Sequence, residues 1–171
     1  MTYEKAIEQI KTLGYSPEKV NTMTDFRTDN KSMRRDAFNN AIDSISENEK
    51  ILYAQADDQS TVILTDAQVV YSYVKTIGHG TMGSLLSPKM FNNYVCKNIK
   101  YSNITSMSTE MISSPWVGGD CWFTLKIKDG DTIKFHSSTF LVGFSGFVTM
   151  RKTENLSNIE TIKSILNNKI K

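Results

Sequence analysis

Hydrophobic and polar positions change period twice along this chain. From Tyr3 the apolar residues Tyr3, Ile7, Ile10 and Leu13 are spaced by four, three and three, a single helical stripe that Gly14 stops. Ser16-Pro17-Glu18 reads as a cap with proline at the first helical position, opening a short helix through Met23. Asp29 or Asn30 can cap a third helix, whose apolar face is Met33, Ala37, Phe38, Ala41, Ile42 and Ile45. Helices this short are marginal alone, so they must pack on a sheet, on one another or on a partner.

After the polar joint Ser46–Lys50 the period becomes two. Ile51–Tyr73 holds three short β-type runs separated by Asp57-Asp58-Gln59 and Thr65-Asp66-Ala67-Gln68, which predicts consecutive antiparallel strands. Three glycines between Gly78 and Gly83 mark a loop, and Ser87-Pro88-Lys89 is read as opening a short helix carrying Met90, Phe91, Tyr94 and Val95. Ile99–Met107 continues the strands. Cys121–Lys128 and Thr132–His136 flank Asp129-Gly130, a strong hairpin signal. Phe140–Met150 fits either period; its glycines favour one strand with a bulge. Ile159, Ile162, Ile165, Leu166 and Ile170 form a last helical stripe.

A run of hairpins closed by one C-terminal helix, with Leu64–Asp66, Val69–Tyr73, Ile99–Met107 and Leu125–Ser138 as the matching pieces, resembles the bacterial pleckstrin-homology-like (PH-like) domains. The resemblance covers roughly residues 47–170. It implies an α+β fold: an antiparallel β-barrel or sandwich with a C-terminal helix, here preceded by an N-terminal helical segment. The expected division is 1–46 for the helical segment and 47–171 for the PH-like domain. The helix at Ile159–Ile170 is expected to cover one open end of the barrel.

At 171 residues and a net charge of +2 the chain is one domain, or a domain with a subdomain. Its charges are nearly balanced, and nucleic-acid binding would need a concentrated basic face, so no nucleic-acid partner is expected. Cys96 and Cys121 lack the spacing of a zinc or redox pair. No secretory signal is read at Thr2–Leu13, and Phe140–Val148, broken by Gly143, Ser145 and Gly146, falls short of the roughly 20 residues of a membrane helix. A cytoplasmic, reducing location follows as the expectation.

Catalytic chemistry is not indicated. His79 and His136 lack a nucleophile motif, and Gly143-Phe-Ser-Gly146 has the wrong spacing for one. Gly78-x-Gly-x-x-Gly83 follows a meander strand and meets Pro88 within two turns, unlike a dinucleotide fingerprint. Asp57-Asp58 and Asp129/Asp131 are turn residues, too few for a calcium loop. The expectation is therefore a non-enzymatic module with no cofactor and no metal.

Lipid-binding PH domains grip phosphates with lysines and arginines in the first hairpin loop. The matching loop here, Ala56–Ser60, holds two carboxylates and no cation, which repels an anionic headgroup. Lys126, Lys128 and Lys134 lie on adjacent strands of one hairpin and are the candidates for a membrane surface. Trp116, in a proline- and glycine-flanked loop, and Arg34 and Arg35 are the candidates for a protein partner, self or other. Protein binding is the favoured expectation and peripheral membrane association the alternative.

Overall fold

The computed structural model describes residues 1–13, 33–56, 60–74, 94–112, 120–137, 140–143, 146–149 and 152–170. They fall in two units, Met1–Asn98 and Ile99–Lys171, described one after the other.

Thr2 starts the first unit by capping helix α1 (Tyr3–Thr12), its hydroxyl accepting from the Lys5 backbone N–H at 3.3 Å. Glu4 in the first turn and Lys11 in the last match the helix dipole. Helix α2 (Met33–Asp43) buries Ala37, Phe38, Ala41 and Ile42, with Ile45 just beyond it. The Tyr3 ring stands edge-on to Phe38 at 5.9 Å and 88°. The Met1 ammonium donates to the carbonyls of Ile42 (3.4 Å) and Ile45 at the C-terminal end of α2, where the dipole is negative.

Strands β1 (Ile51–Ala56), β2 (Ser60–Thr65), β3 (Gln68–Val74) and β4 (Tyr94–Lys100) form one sheet in that order. β2 runs antiparallel to both β1 and β3, with a bulge between Ile51 and Tyr53. Ala54, Ile63 and Val70 make one row across three strands and join Ile7, Ile10, Phe38, Ala41 and Ile42 in a common core. The helices thus lie on this sheet. Tyr53, Val62, Leu64 and Val69, on its other face, are buried too, which is why β2 reads as an unbroken apolar run rather than an alternation. The side-chain hydroxyls of Thr61 and Ser72, opposite each other in this sheet, are buried without a hydrogen bond.

The second unit opens with a 3-10 turn at Tyr101–Asn103. β5 (Ile104–Ile112), β6 (Asp120–Ile127) and β7 (Thr132–Ser137) follow as an antiparallel sheet in sequence order. Cys121, Phe123, Leu125, Ile133 and Phe135 are buried, with Phe123 and Phe135 stacked at 5.3 Å and 13°. The β6–β7 turn puts Gly130 at φ 89°, the left-handed region that glycine enters without Cβ strain. The Gly130 N–H donates to the Ile127 carbonyl at 3.0 Å and the Asp131 N–H to the Asp129 carboxylate at 3.0 Å. β8 (Phe140–Gly143) and β9 (Gly146–Thr149) make a hairpin, and α3 (Lys152–Lys169) packs on β7, burying Ile159, Ile162 and Leu166.

Two antiparallel sheets followed by a C-terminal helix agree with the expected class. Several details differ. No closed barrel is present among the described residues, where the strands group as sheets of four, three and two. Ile99–Met107 is not one strand: the 3-10 turn ends β4 and starts β5 in the other sheet. Tyr94 and Val95 belong to β4 rather than to a helix, since the aromatic and β-branched pair joins the sheet edge beside β3. Residues 140–149 are two short strands, not one bulged strand, because Gly143 and Gly146 pair across a reversal. The helix expected after Pro17, the turn at Asp57–Gln59 and the glycine-rich segment 78–83 lie outside the described residues.

Candidate functional site

The alternation that buries Cys121, Phe123 and Leu125 turns Trp122, Thr124 and Lys126 to the opposite face of the sheet. On β7, burial of Ile133 and Phe135 turns Thr132 and Lys134 the same way. β5 completes this outer face with Ser106, Ser108 and Glu110, opposite Lys126, Thr124 and Trp122 respectively. Lys134 sits opposite Thr124 and reaches diagonally, its Nζ 4.8 Å from the centroid of the Trp122 ring and 3.9 Å from a Glu110 carboxylate oxygen. With Lys134 half exposed (51%) and Glu110 71% exposed, the ion pair contributes at most about 1 kcal/mol. The ring contact adds about 0.5–1 kcal/mol. Their effect is positional: Lys134 is held between an aromatic face and a carboxylate.

Of the three candidate lysines, Lys126 and Lys134 share the outer face and Lys128 lies in the β6–β7 turn rather than on a strand. All three are exposed. Lys128 is followed by the exposed Asp129 and Asp131, so three cations meet three carboxylates, Glu110 included. The surface is mixed rather than electropositive. Arg34 and Arg35 lie in the first turn of α2, their side chains outside the description, and Trp116 lies outside the described residues. Trp122 is the residue that the sequence reading passed over; the in-out-in order of Cys121, Trp122 and Phe123 carried the signal.

An open cleft of about 420 Å³ in the first unit is lined by Lys5, Gln9 and Thr12 of α1 and by residues 47–51. Its polar groups are engaged with one another. Lys5 Nζ donates to the Glu47 carbonyl (2.6 Å) and carboxylate (3.3 Å), and Gln9 accepts from the Ile51 N–H at 2.8 Å. The Lys5 hydrogen bond holds the Glu47 carboxyl below its ordinary value. Burial would raise that of Glu49. Donors outweigh it, namely the Thr65 hydroxyl at 2.6 Å, the Ser46 N–H at 3.1 Å and the Gln68 amide at 3.0 Å, so it too lies low. This network fastens α1 and the β2–β3 turn to the start of β1.

Cys96 is exposed as a residue, yet its thiol rests 3.5 Å from the Ser44 hydroxyl and 3.7 Å from the Asn40 carbonyl, and burial pushes its pKa up. Burial does the same to Cys121. Neither thiol has thiolate character at neutral pH. Among the described residues no three of His, Cys, Asp and Glu gather as a metal site, and no helix is long and apolar enough to cross a membrane.

No protein-family model and no curated protein sequence matches the chain. Two solved structures are similar to it. One is a DUF1696-family protein with a pleckstrin-homology domain from Shewanella loihica PV-4, 11% identical, spanning 81% of this chain and 93% of that one with a TM-score of 0.49. The other is a pleckstrin-homology domain from Shewanella amazonensis SB2B, 12% identical, spanning 75% of this chain and 91% of that one with a TM-score of 0.44.

Proposed function

We propose that this chain is a non-enzymatic, intracellular PH-like module that binds protein. The observation that carries the choice of partner is the tethering of Lys134 to Trp122 and Glu110. An anionic headgroup would have to displace a carboxylate to reach that lysine, and Asp129 and Asp131 stand beside Lys128. The partly exposed Trp122 is instead the residue type that anchors protein interfaces. Trp116, Arg34 and Arg35 remain proposed contributors. The free thiols Cys96 and Cys121 support a reducing compartment.

The test sets lipid against protein on the full chain. Flotation with vesicles of phosphatidylcholine, alone or mixed with phosphatidylserine or a phosphoinositide, is expected to leave the chain unbound at physiological salt. A photo-crosslinking amino acid at Thr124 is expected to attach to protein in cells. Vesicle binding that is lost in Lys126→Glu and Lys128→Glu would overturn this reading in favour of an anionic membrane surface.

A further inference from the structure

β5 is nine residues long and sits at the edge of its sheet, paired with β6 alone among the described residues. Thr105, Ser106, Ser108, Thr109, Glu110 and Met111 are all exposed, on both faces of the strand. Among the described residues Met111 is the exposed large apolar one, at 50%. Edge strands are ordinarily blunted by lysine, proline, inward charges or bulges. Ile104–Ile112 contains no lysine, no proline and no glycine, one charge at Glu110, and one bulge confined to its start between Ile104 and Ser106. From Ser106 to Ile112 the register on β6 is unbroken, so no bulge turns that part of the edge away from another strand.

We infer that the free edge of β5 pairs antiparallel with β5 of a second copy of this chain, about a two-fold axis at Ser108. This rests on the protein-binding reading above and names one partner and one surface for it. Of all antiparallel self-registers, the one centred on Ser108 pairs the whole strand. It sets Met107 opposite Thr109 of the second copy, Thr105 opposite Met111, and Ser106 opposite Glu110. Apolar side chains meet methyl-bearing ones on one face. On the other the single charge meets a hydroxyl, so no like charges stand opposite each other. A register centred on Glu110 would put two carboxylates face to face. The product is one continuous sheet, β7-β6-β5-β5-β6-β7, with isologous symmetry and Trp122 and Lys134 left on its outer face in each copy. An interface made mainly of one strand pair is small, so association in the micromolar range is expected.

Sedimentation velocity of the full chain, from low micromolar to on the order of 500 µM, tests this. A reversible dimer is expected. Ser108→Lys and Ser108→Glu each place like charges on the axis and should weaken it about fivefold or more, while an equimolar mixture of the two restores it. Thr132→Lys, exposed on β7 at the opposite edge of the sheet, should leave it unchanged, and melting temperatures matching the wild type show that each variant is folded. A wild-type chain that stays monomeric throughout overturns the inference, as does a dimer indifferent to both Ser108 variants or one lost in Thr132→Lys. A monomer that still crosslinks a foreign protein through position 124 overturns the dimer but leaves the protein-binding reading intact. A Ser108-dependent chain dimer that also binds anionic vesicles upholds the inference and overturns only the preference for protein over lipid.

Discussion

Phe38→Ala is the sharpest test of whether α2 is part of the first sheet's core or an ornament on it. Phe38 has no exposed surface and shares a cluster with Ala6, Ile10, Ile63 and Val70, drawn from both helices and two strands. Truncating a phenylalanine this deeply buried costs about 3–5 kcal/mol, transfer and cavity effects together. Of that, about 0.5–1.5 kcal/mol belongs to the edge-on Tyr3 ring, which a Tyr3→Leu, Phe38→Ala double-mutant cycle isolates. With a urea slope of about 2 kcal/mol per molar, the midpoint should fall by about 2 M with the slope unchanged, read by far-UV circular dichroism. A shift below about 0.5 M, equivalent to about 1 kcal/mol, would refute the argument. It would mean that the helix can leave without opening the sheet.

Gly130→Val should cost about 1–2 kcal/mol from backbone strain alone, since an added Cβ meets nothing within 4 Å, and Gly130→Asn should cost less; a melting temperature unchanged in both would sink the turn assignment. Ile162→Ala, from full burial on α3, should cost about 2–5 kcal/mol in denaturant melts, and a cost near zero would make that helix a loose tail. The Glu47 and Glu49 carboxyls both lie below their ordinary value when folded, so the stability they contribute is present above the ordinary carboxylate range and is lost as pH falls through their lowered values. Melting temperature followed from neutral to acid pH should therefore decline more gently in Glu49→Gln, which starts lower at neutrality; an identical acid limb would refute the role given to the Glu49 carboxylate.

What the sequence disclosed follows from how local each signal is. The stripes Tyr3–Ile10 and Ala37–Ile42 and the alternations in β6 and β7 each lie within a single element, and those elements are where they were expected. Gly130 was legible because Asp-Gly between alternating runs leaves few alternatives. Tyr94 and Val95 misled because a short apolar run fits both periods until a neighbouring strand selects one. The break at Tyr101–Asn103 was hidden for a related reason. Tyr101 is buried like its strand neighbours, and the switch from one sheet to another leaves no composition mark of its own.

The candidate site was harder to read than the fold, because its chemistry depends on register rather than on residue type. Period two says that Lys126 and Lys134 face away from Phe123 and Phe135. It does not say that Lys134 falls within reach of Trp122 and Glu110, which are 12 and 24 positions away in sequence. That juxtaposition is set by the Gly130 turn on one side and by the pairing of Glu110 with Trp122 on the other. A slip of one residue in either ladder would turn Lys134 toward the buried phenylalanines or remove its carboxylate. The lysine stripe is therefore a property of the sequence, whereas its neutralisation is a property of the fold. A count of positive charges could only favour an anionic partner. The paired geometry changes that preference, and it places Glu110 on β5, one of the sheet's two edge strands and the one without a lysine.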